Sequence, residues 1–166
     1  VDQQSKAHLV VNITSPVAPV TYSTCQNFTL TVNVTNAGEA NATGVKVKVS
    51  FNNAYVELQA GQVAEHVIGA INGSETKQES WGLHCNGSGA TSVSVNITAG
   101  NDINTGEPIP AENIENDSII VNQQSKAHLV VNITSPVAPV TYSMCQNFTL
   151  TVDVTNAGEA NATDVK

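Results

Sequence analysis

Asn27-Phe28-Thr29-Leu30-Thr31-Val32-Asn33-Val34-Thr35 alternates without a break. Phe28, Leu30, Val32 and Val34 share one parity; Asn27, Thr29, Thr31, Asn33 and Thr35 share the other. In an extended chain, alternate side chains point to opposite faces, so the stretch reads as a strand with one buried face. The pattern recurs outward from it. Val45, Val47, Val49 and Phe51 alternate with Lys46, Lys48 and Ser50. Val93, Val95 and Ile97 alternate with Ser92, Ser94, Asn96 and Thr98. Leu9, Val11 and Ile13, beside His8 and Asn12, form a first strand. Further strands are expected over 17–22, 54–58, 63–68, 75–83 and 114–121. Asn36-Ala37-Gly38, Asn72-Gly73-Ser74 and Asn86-Gly87-Ser88-Gly89 supply turn chemistry between strands, and 100–110 is the longest loop-like stretch. Helical periodicity is nearly absent. The fold class is therefore all-β, an antiparallel β-sandwich of about seven to nine strands.

The first 46 residues return at 121–166 with an offset of 120. Only four of the 46 pairs differ: Asp2/Asn122, Thr24/Met144, Asn33/Asp153 and Gly44/Asp164. A period of that length sets the domain before any motif is weighed. Residues 1–120 are expected to be one complete unit, and 121–166 the first third of the next. That third is incomplete alone and needs another copy of 47–120 to close a sandwich. The two copies are joined through Asn122-Gln123-Gln124-Ser125, without a Gly/Ser or Pro-rich spacer. The expected array is therefore semi-rigid.

Net charge is −8, and all six basic residues are lysines. Neither phosphate backbones nor anionic lipid is matched by that balance, so nucleic acid is not an expected partner. No apolar run reaches the eighteen or so residues of a membrane span. The chain begins at Val1 without methionine, which suggests a mature or internal stretch of something longer. Cys25 and Cys85 lie in the first unit; Cys145 is the repeat-mate of Cys25. With no metal-like spacing, a Cys25–Cys85 disulfide is expected, with Cys145 pairing outside these residues. Such a bridge would contribute roughly 4 kcal/mol in the chain-entropy model and implies a compartment outside a reducing cytosol. Two buried free thiols are the alternative.

Asn-x-Ser/Thr occurs at Asn12, Asn27, Asn33, Asn41, Asn72, Asn86, Asn96 and Asn116, and again at Asn132, Asn147 and Asn161. None has proline at x, so all are acceptors for N-linked glycans. Asn12, Asn27, Asn33 and Asn96 lie on the polar parity of their strands, while Asn41, Asn72 and Asn86 lie in turns; Asn116 is ambiguous in facing. An Asn- and Thr-rich solvent face would spell the same motif. Bulky sugars along the outer faces would also block edge-to-edge pairing between strangers.

Other constellations are weak. Asn101-Asp102-Ile103-Asn104-Thr105-Gly106-Glu107 spaces oxygen ligands loosely like a calcium loop but lacks its full pattern, so a polar loop is expected. His84 and Cys85 are neighbours on a strand and face opposite ways. His8, His66 and His128 have no companions at ligand spacing. Lys46, Lys48 and Lys77 could in principle form Lys–Asn crosslinks, though Lys46 and Lys48 fall on the solvent parity. No catalytic residue, metal site or cofactor is expected beyond covalent glycans, and no enzyme. Trp81 is expected in the core or against the disulfide.

The run from Phe28 through the Asn36-Ala37-Gly38 turn to Val47 resembles the immunoglobulin-like repeats of bacterial and archaeal surface proteins, including the cell-adhesion-related and conserved-repeat families. The resemblance covers about Asn27–Phe51 and its copy from Asn147 onward. It implies extracellular Ig-like sandwiches strung in tandem, with no catalytic residues to carry over. Antibody-type domains fit poorly: Trp81 sits four residues before Cys85, and Leu83 stands where a tyrosine corner needs Tyr. The functional expectation is a structural subunit of a linear, heavily N-glycosylated extracellular fibre or cell-surface array, partnered by copies of itself through tandem repeats or strand donation. An adhesin or carbohydrate-binding stalk, or a spacer in a larger surface enzyme, are the alternatives.

Overall fold

The computed structural model describes residues 5–166, which divide into two compact units meeting at Gln123/Gln124. The first unit is a sandwich of two five-stranded sheets. Its strands are β1 (Leu9–Ser15), β2 (Val20–Ser23), β3 (Asn27–Asn36), β4 (Ala42–Ser50), β5 (Val56–Leu58), β6 (Glu65–Ile71), β7 (Thr76–Cys85), β8 (Gly89–Asp102), β9 (Ile114–Glu115) and β10 (Asp117–Gln124). One sheet runs β5-β7-β3-β1-β9 and the other β2-β10-β8-β4-β6. β1–β3, β3–β7, β5–β7, β4–β6, β4–β8 and β8–β10 pair antiparallel, and the short β1–β9 contact is parallel.

The alternation is realised residue by residue. Phe28, Leu30, Val32 and Val34 are all buried, as are Val45, Val47 and Val49 on β4 and Val93, Val95 and Ile97 on β8. These inner faces enclose one core with Leu9, Ile71, Leu83 and Trp81. Trp81 is 1% exposed and stacks on His66 with ring centroids 4.7 Å apart.

Three expected segments are redrawn. Strand β2 starts only at Val20. Strand β8 continues to Asp102 and absorbs the start of the expected 100–110 loop. The expected 114–121 strand is two strands in different sheets: β9 pairs with β1, β10 with β8. The crossing is pinned on both sides. Asn116 Oδ1 accepts from the Ile97 amide (2.9 Å), and the Asp117 carboxylate accepts from the Ile13 amide (2.7 Å). The last strand then runs through Gln124, past the residue where the sequence repeat closes; Val121 and Gln123 are buried within this unit.

The second unit is a two-stranded sheet of β11 (Leu129–Ser135) and β12 (Thr151–Asn156). Its register copies β1–β3: Leu129 faces Asn156 as Leu9 faces Asn36, and Asn132 faces Asp153 as Asn12 faces Asn33. No helix among the described residues is long and apolar enough to cross a membrane.

Candidate functional site

The two copies of one sequence end in opposite environments. Leu9, Leu30, Val32 and Val34 are fully buried in the first unit and Phe28 is 6% exposed. Their mates Leu129, Leu150, Val152, Val154 and Phe148 are 44%, 57%, 44%, 51% and 59% exposed. The local chain is nonetheless the same. Ser125 and Glu159 reproduce the reciprocal bonds of Ser5 and Glu39, and Tyr142 stacks on Phe148 as Tyr22 stacks on Phe28. What differs is the cover. Over Leu129, Val154, Asn156, Asn161 and Val165 lies an open cleft of about 630 Å³. The same place in the first unit is filled from residues 47–123: a Cβ at Gly100 would lie 3.2 Å from Leu9, 3.4 Å from Ile109 and 3.6 Å from Val45.

Polar partners tell the same story. Asn36, wholly buried, accepts through Oδ1 from the His8 and Gly38 amides and donates through Nδ2 to the Ala40 and Ile71 carbonyls (2.8 and 3.1 Å). Asn156 repeats three of these bonds, to His128, Gly158 and Ala160; the described bonds hold no counterpart of the Ile71 carbonyl. Gly38 closes this turn, because a Cβ there would overlap the Lys6 carbonyl oxygen. Asp102, 4% exposed, has its carboxylate taken up by the Ala7 amide (2.9 Å) and by the Asn104 and Thr105 amides. Those bonds, the Ala7 one above all, hold its pKa below the usual carboxylate range. The calcium-like loop is thus a carboxylate-capped turn that fastens the first strand. Sequence reasoning placed Asn36 in an Asn-x-Gly turn and Asp102 in a loosely calcium-like loop, but gave neither side chain its structural role.

None of the eleven sequon asparagines is buried: Asn33, Asn41 and Asn96 are half-buried and the others exposed. Asn116, ambiguous by parity, lies exposed between β9 and β10. Their hydrogen bonds share a feature. Asn27, Asn33, Asn41 and Asn116 each accept through Oδ1, from His84, Gln78, Gly73 and Ile97. For Asn41 and Asn116 the donor is a backbone N–H, which fixes the amide orientation. Outside the sequons, Asn36 and Asn156 use both side-chain atoms, Asn113 and Asn122 donate Nδ2 to backbone carbonyls, and Asn52 accepts through Oδ1 from the Ala54 amide. Nδ2 is the atom that carries an N-linked sugar, and Oδ1 still accepts after linkage.

The expected Cys25–Cys85 bridge is not made; both cysteines and Cys145 are free thiols. The backbones do meet, the Cys25 amide donating to the Cys85 carbonyl at 2.7 Å. Cys25, however, sits at φ 64° with its side chain exposed, while Cys85 points into the core. Burial pushes the Cys85 thiol up to about 11. His84, on the opposite parity, contacts Asn27 rather than the thiol. Lys46 pairs with Glu65 (3.7 Å) and Lys77 donates to the Ala70 carbonyl (2.6 Å). Among the described residues no three His, Cys, Asp or Glu side chains cluster as metal ligands. The aromatics of the first unit serve the core: Phe28 and Trp81 are buried, and Tyr22, Phe51 and Tyr55 pack half-buried against it.

No curated protein matches the chain. Solved structures do share its fold. The solution structure of the CARDB domain of a Pyrococcus furiosus protein is 16% identical, with a TM-score of 0.51 over 70% of this chain and 94% of that one. The crystal structure of the same domain in complex with di-metal ions gives 14% and 0.50, over 74% and 96%. A Salmonella alpha-2-macroglobulin is 12% identical, with a TM-score of 0.52 over 75% of this chain but only 8% of that one. The CARDB family model matches residues 6–109, more than half of the sequence, and the protein belongs to the CARDB family.

Proposed function

We propose that this chain is a stretch of a linear, N-glycosylated extracellular array with a mechanical rather than catalytic role. The observation that carries the reading is the bare face of 125–166, a near copy of the face that 47–123 buries in the first unit. A two-stranded sheet is marginal in water by itself. Covering Leu129, Phe148, Leu150, Val152 and Val154 is worth roughly 1.5–3 kcal/mol per side chain. The fitting cover is a segment of the same sequence as 47–123.

Exchange between identical copies does not provide it. Each chain brings two first-third segments and one 47–123 segment. A swap that covers one 125–166 face strips one 5–46 face elsewhere. This count favours a tandem continuation over strand donation. Appending residues 47–123 after Lys166 tests it. Hydrogen exchange should then slow across β11 and β12 and approach that of β1 and β3. Unchanged fast exchange would sink the proposal. Independently, the protein from its source, deglycosylated and run under denaturing conditions, should be far larger than 17.3 kDa; a single band at that mass supports donated strands instead.

Sugar sheathing is supported by eleven sequon asparagines of which none is buried, and by Oδ1 taking the described bonds of Asn27, Asn33, Asn41 and Asn116. The adhesin reading lacks an exposed aromatic platform in the first unit, where the aromatics are committed to the core.

A further inference from the structure

Asn12 and Asn33 are direct register partners across β1 and β3, on the outer face of one sheet. Directly opposed residues hold their Cβ atoms about 5 Å apart. A sugar on each would have to grow from the same small patch. The two positions are otherwise unequal. Asn33 is on the central strand, half-buried, with Asn12 on one side and Gln78 on the other; Gln78 donates to its Oδ1 at 3.4 Å. Asn12 is exposed, and on the far side of β1 the ladder to β9 ends at Val10, with the Asp117 carboxylate reaching the next amide, that of Ile13. In the second copy the same pair is Asn132 opposite Asp153. There the conflict is absent, and the position lost is the crowded one.

We propose that the β1–β3 pair accepts a single glycan and that Asn12 carries it, with Asn132 its equivalent in the second copy. This rests on the glycosylated reading above. In the transfer, Asn12 Nδ2 attacks the anomeric carbon of a lipid-phosphate-linked sugar donor. The N–C bond forms and the C–O bond to phosphate breaks. Nδ2 loses a proton, and the lipid phosphate departs with the electron pair.

Cleavage after lysine releases 7–46, with Asn12, Asn27, Asn33 and Asn41, and 127–166, with Asn132, Asn147 and Asn161. Electron-transfer fragmentation of these glycopeptides, from protein isolated from its source, locates each sugar. The expected result is at most three glycans on 7–46, with Asn12 occupied and Asn33 bare. Both occupied on one molecule, Asn33 occupied with Asn12 bare, or neither occupied while other sequons are, would overturn the inference and leave the parent reading standing. No glycan at any sequon overturns both. The Asn12→Gln variant separates crowding from poor acceptor quality: Asn33 should then become occupied, and a persistently bare Asn33 would overturn the steric account.

Discussion

Single residues hold this fold by bonds that span the chain. Asp102 ties β8 to the entry of β1 through the Ala7 amide, at a separation of 95 residues. Because its folded-state pKa lies below the unfolded value, its stabilisation is full above the unfolded pKa and is lost as pH falls through the folded one. Asp102→Asn keeps one acceptor but sets an NH2 against an N–H donor. It should cost about 1–3 kcal/mol near neutrality and flatten the acid limb of a stability-against-pH curve from denaturant titration. Asn36→Ala removes four bonds from a buried turn and should cost about 3 kcal/mol. Thiol reactivity is a second residue-scale readout. On reduced, folded protein, iodoacetamide should label the exposed Cys25 and Cys145 and spare Cys85, whose thiol is buried and protonated. Rapid labelling of Cys85 would contradict its place in the core.

At the scale of elements, one strand sequence sits in two settings, and the setting decides what a side chain is worth. Leu30 on β3 is fully buried; its mate Leu150, adjoining β12, is 57% exposed. Leu30→Ala should cost about 2–5 kcal/mol, while Leu150→Ala should be nearly silent. In the chain extended by 47–123 the two costs should converge, read by denaturant midpoints. A large cost for Leu150→Ala in the 166-residue chain would mean that its face is already covered. The elements legible in advance were those with strict alternation: β1, β3, β4, β8 and the buried parity of each. Less legible was the 114–121 segment, which reads as one strand but is divided at Asn116 and Asp117, whose side chains bond to the Ile97 and Ile13 amides. Those partners lie far along the chain and leave no local signature.

For the whole molecule, the folding unit and the sequence repeat are out of phase. The repeat closes at residue 120, whereas the last strand of the sandwich runs to Gln124 and buries Val121 and Gln123. Residues 121–124 thus finish one unit while belonging, by sequence, to the next copy. Cutting at the repeat boundary should therefore damage the domain. A chain ending at Ile120 should be less stable than one ending at Gln124, with the difference read from thermal unfolding. Equal stability would show that the end of β10 contributes nothing.

Alternation alone determined the all-β class, the inner and outer faces, and that the sequons on β1, β3 and β8 point away from the core, because the period of two is a property of the extended chain and needs no partner. The repeat determined that one sequence occurs twice. Only the tertiary structure decided that the copies differ, since burial depends on what lies opposite, and residues 47–123 can lie opposite one copy at a time. It also decided that Asn12 and Asn33 face each other and that Cys25 and Cys85 meet through their backbones but not their side chains. Those relations come from register and backbone conformation between distant segments, on which spacing along the chain is silent.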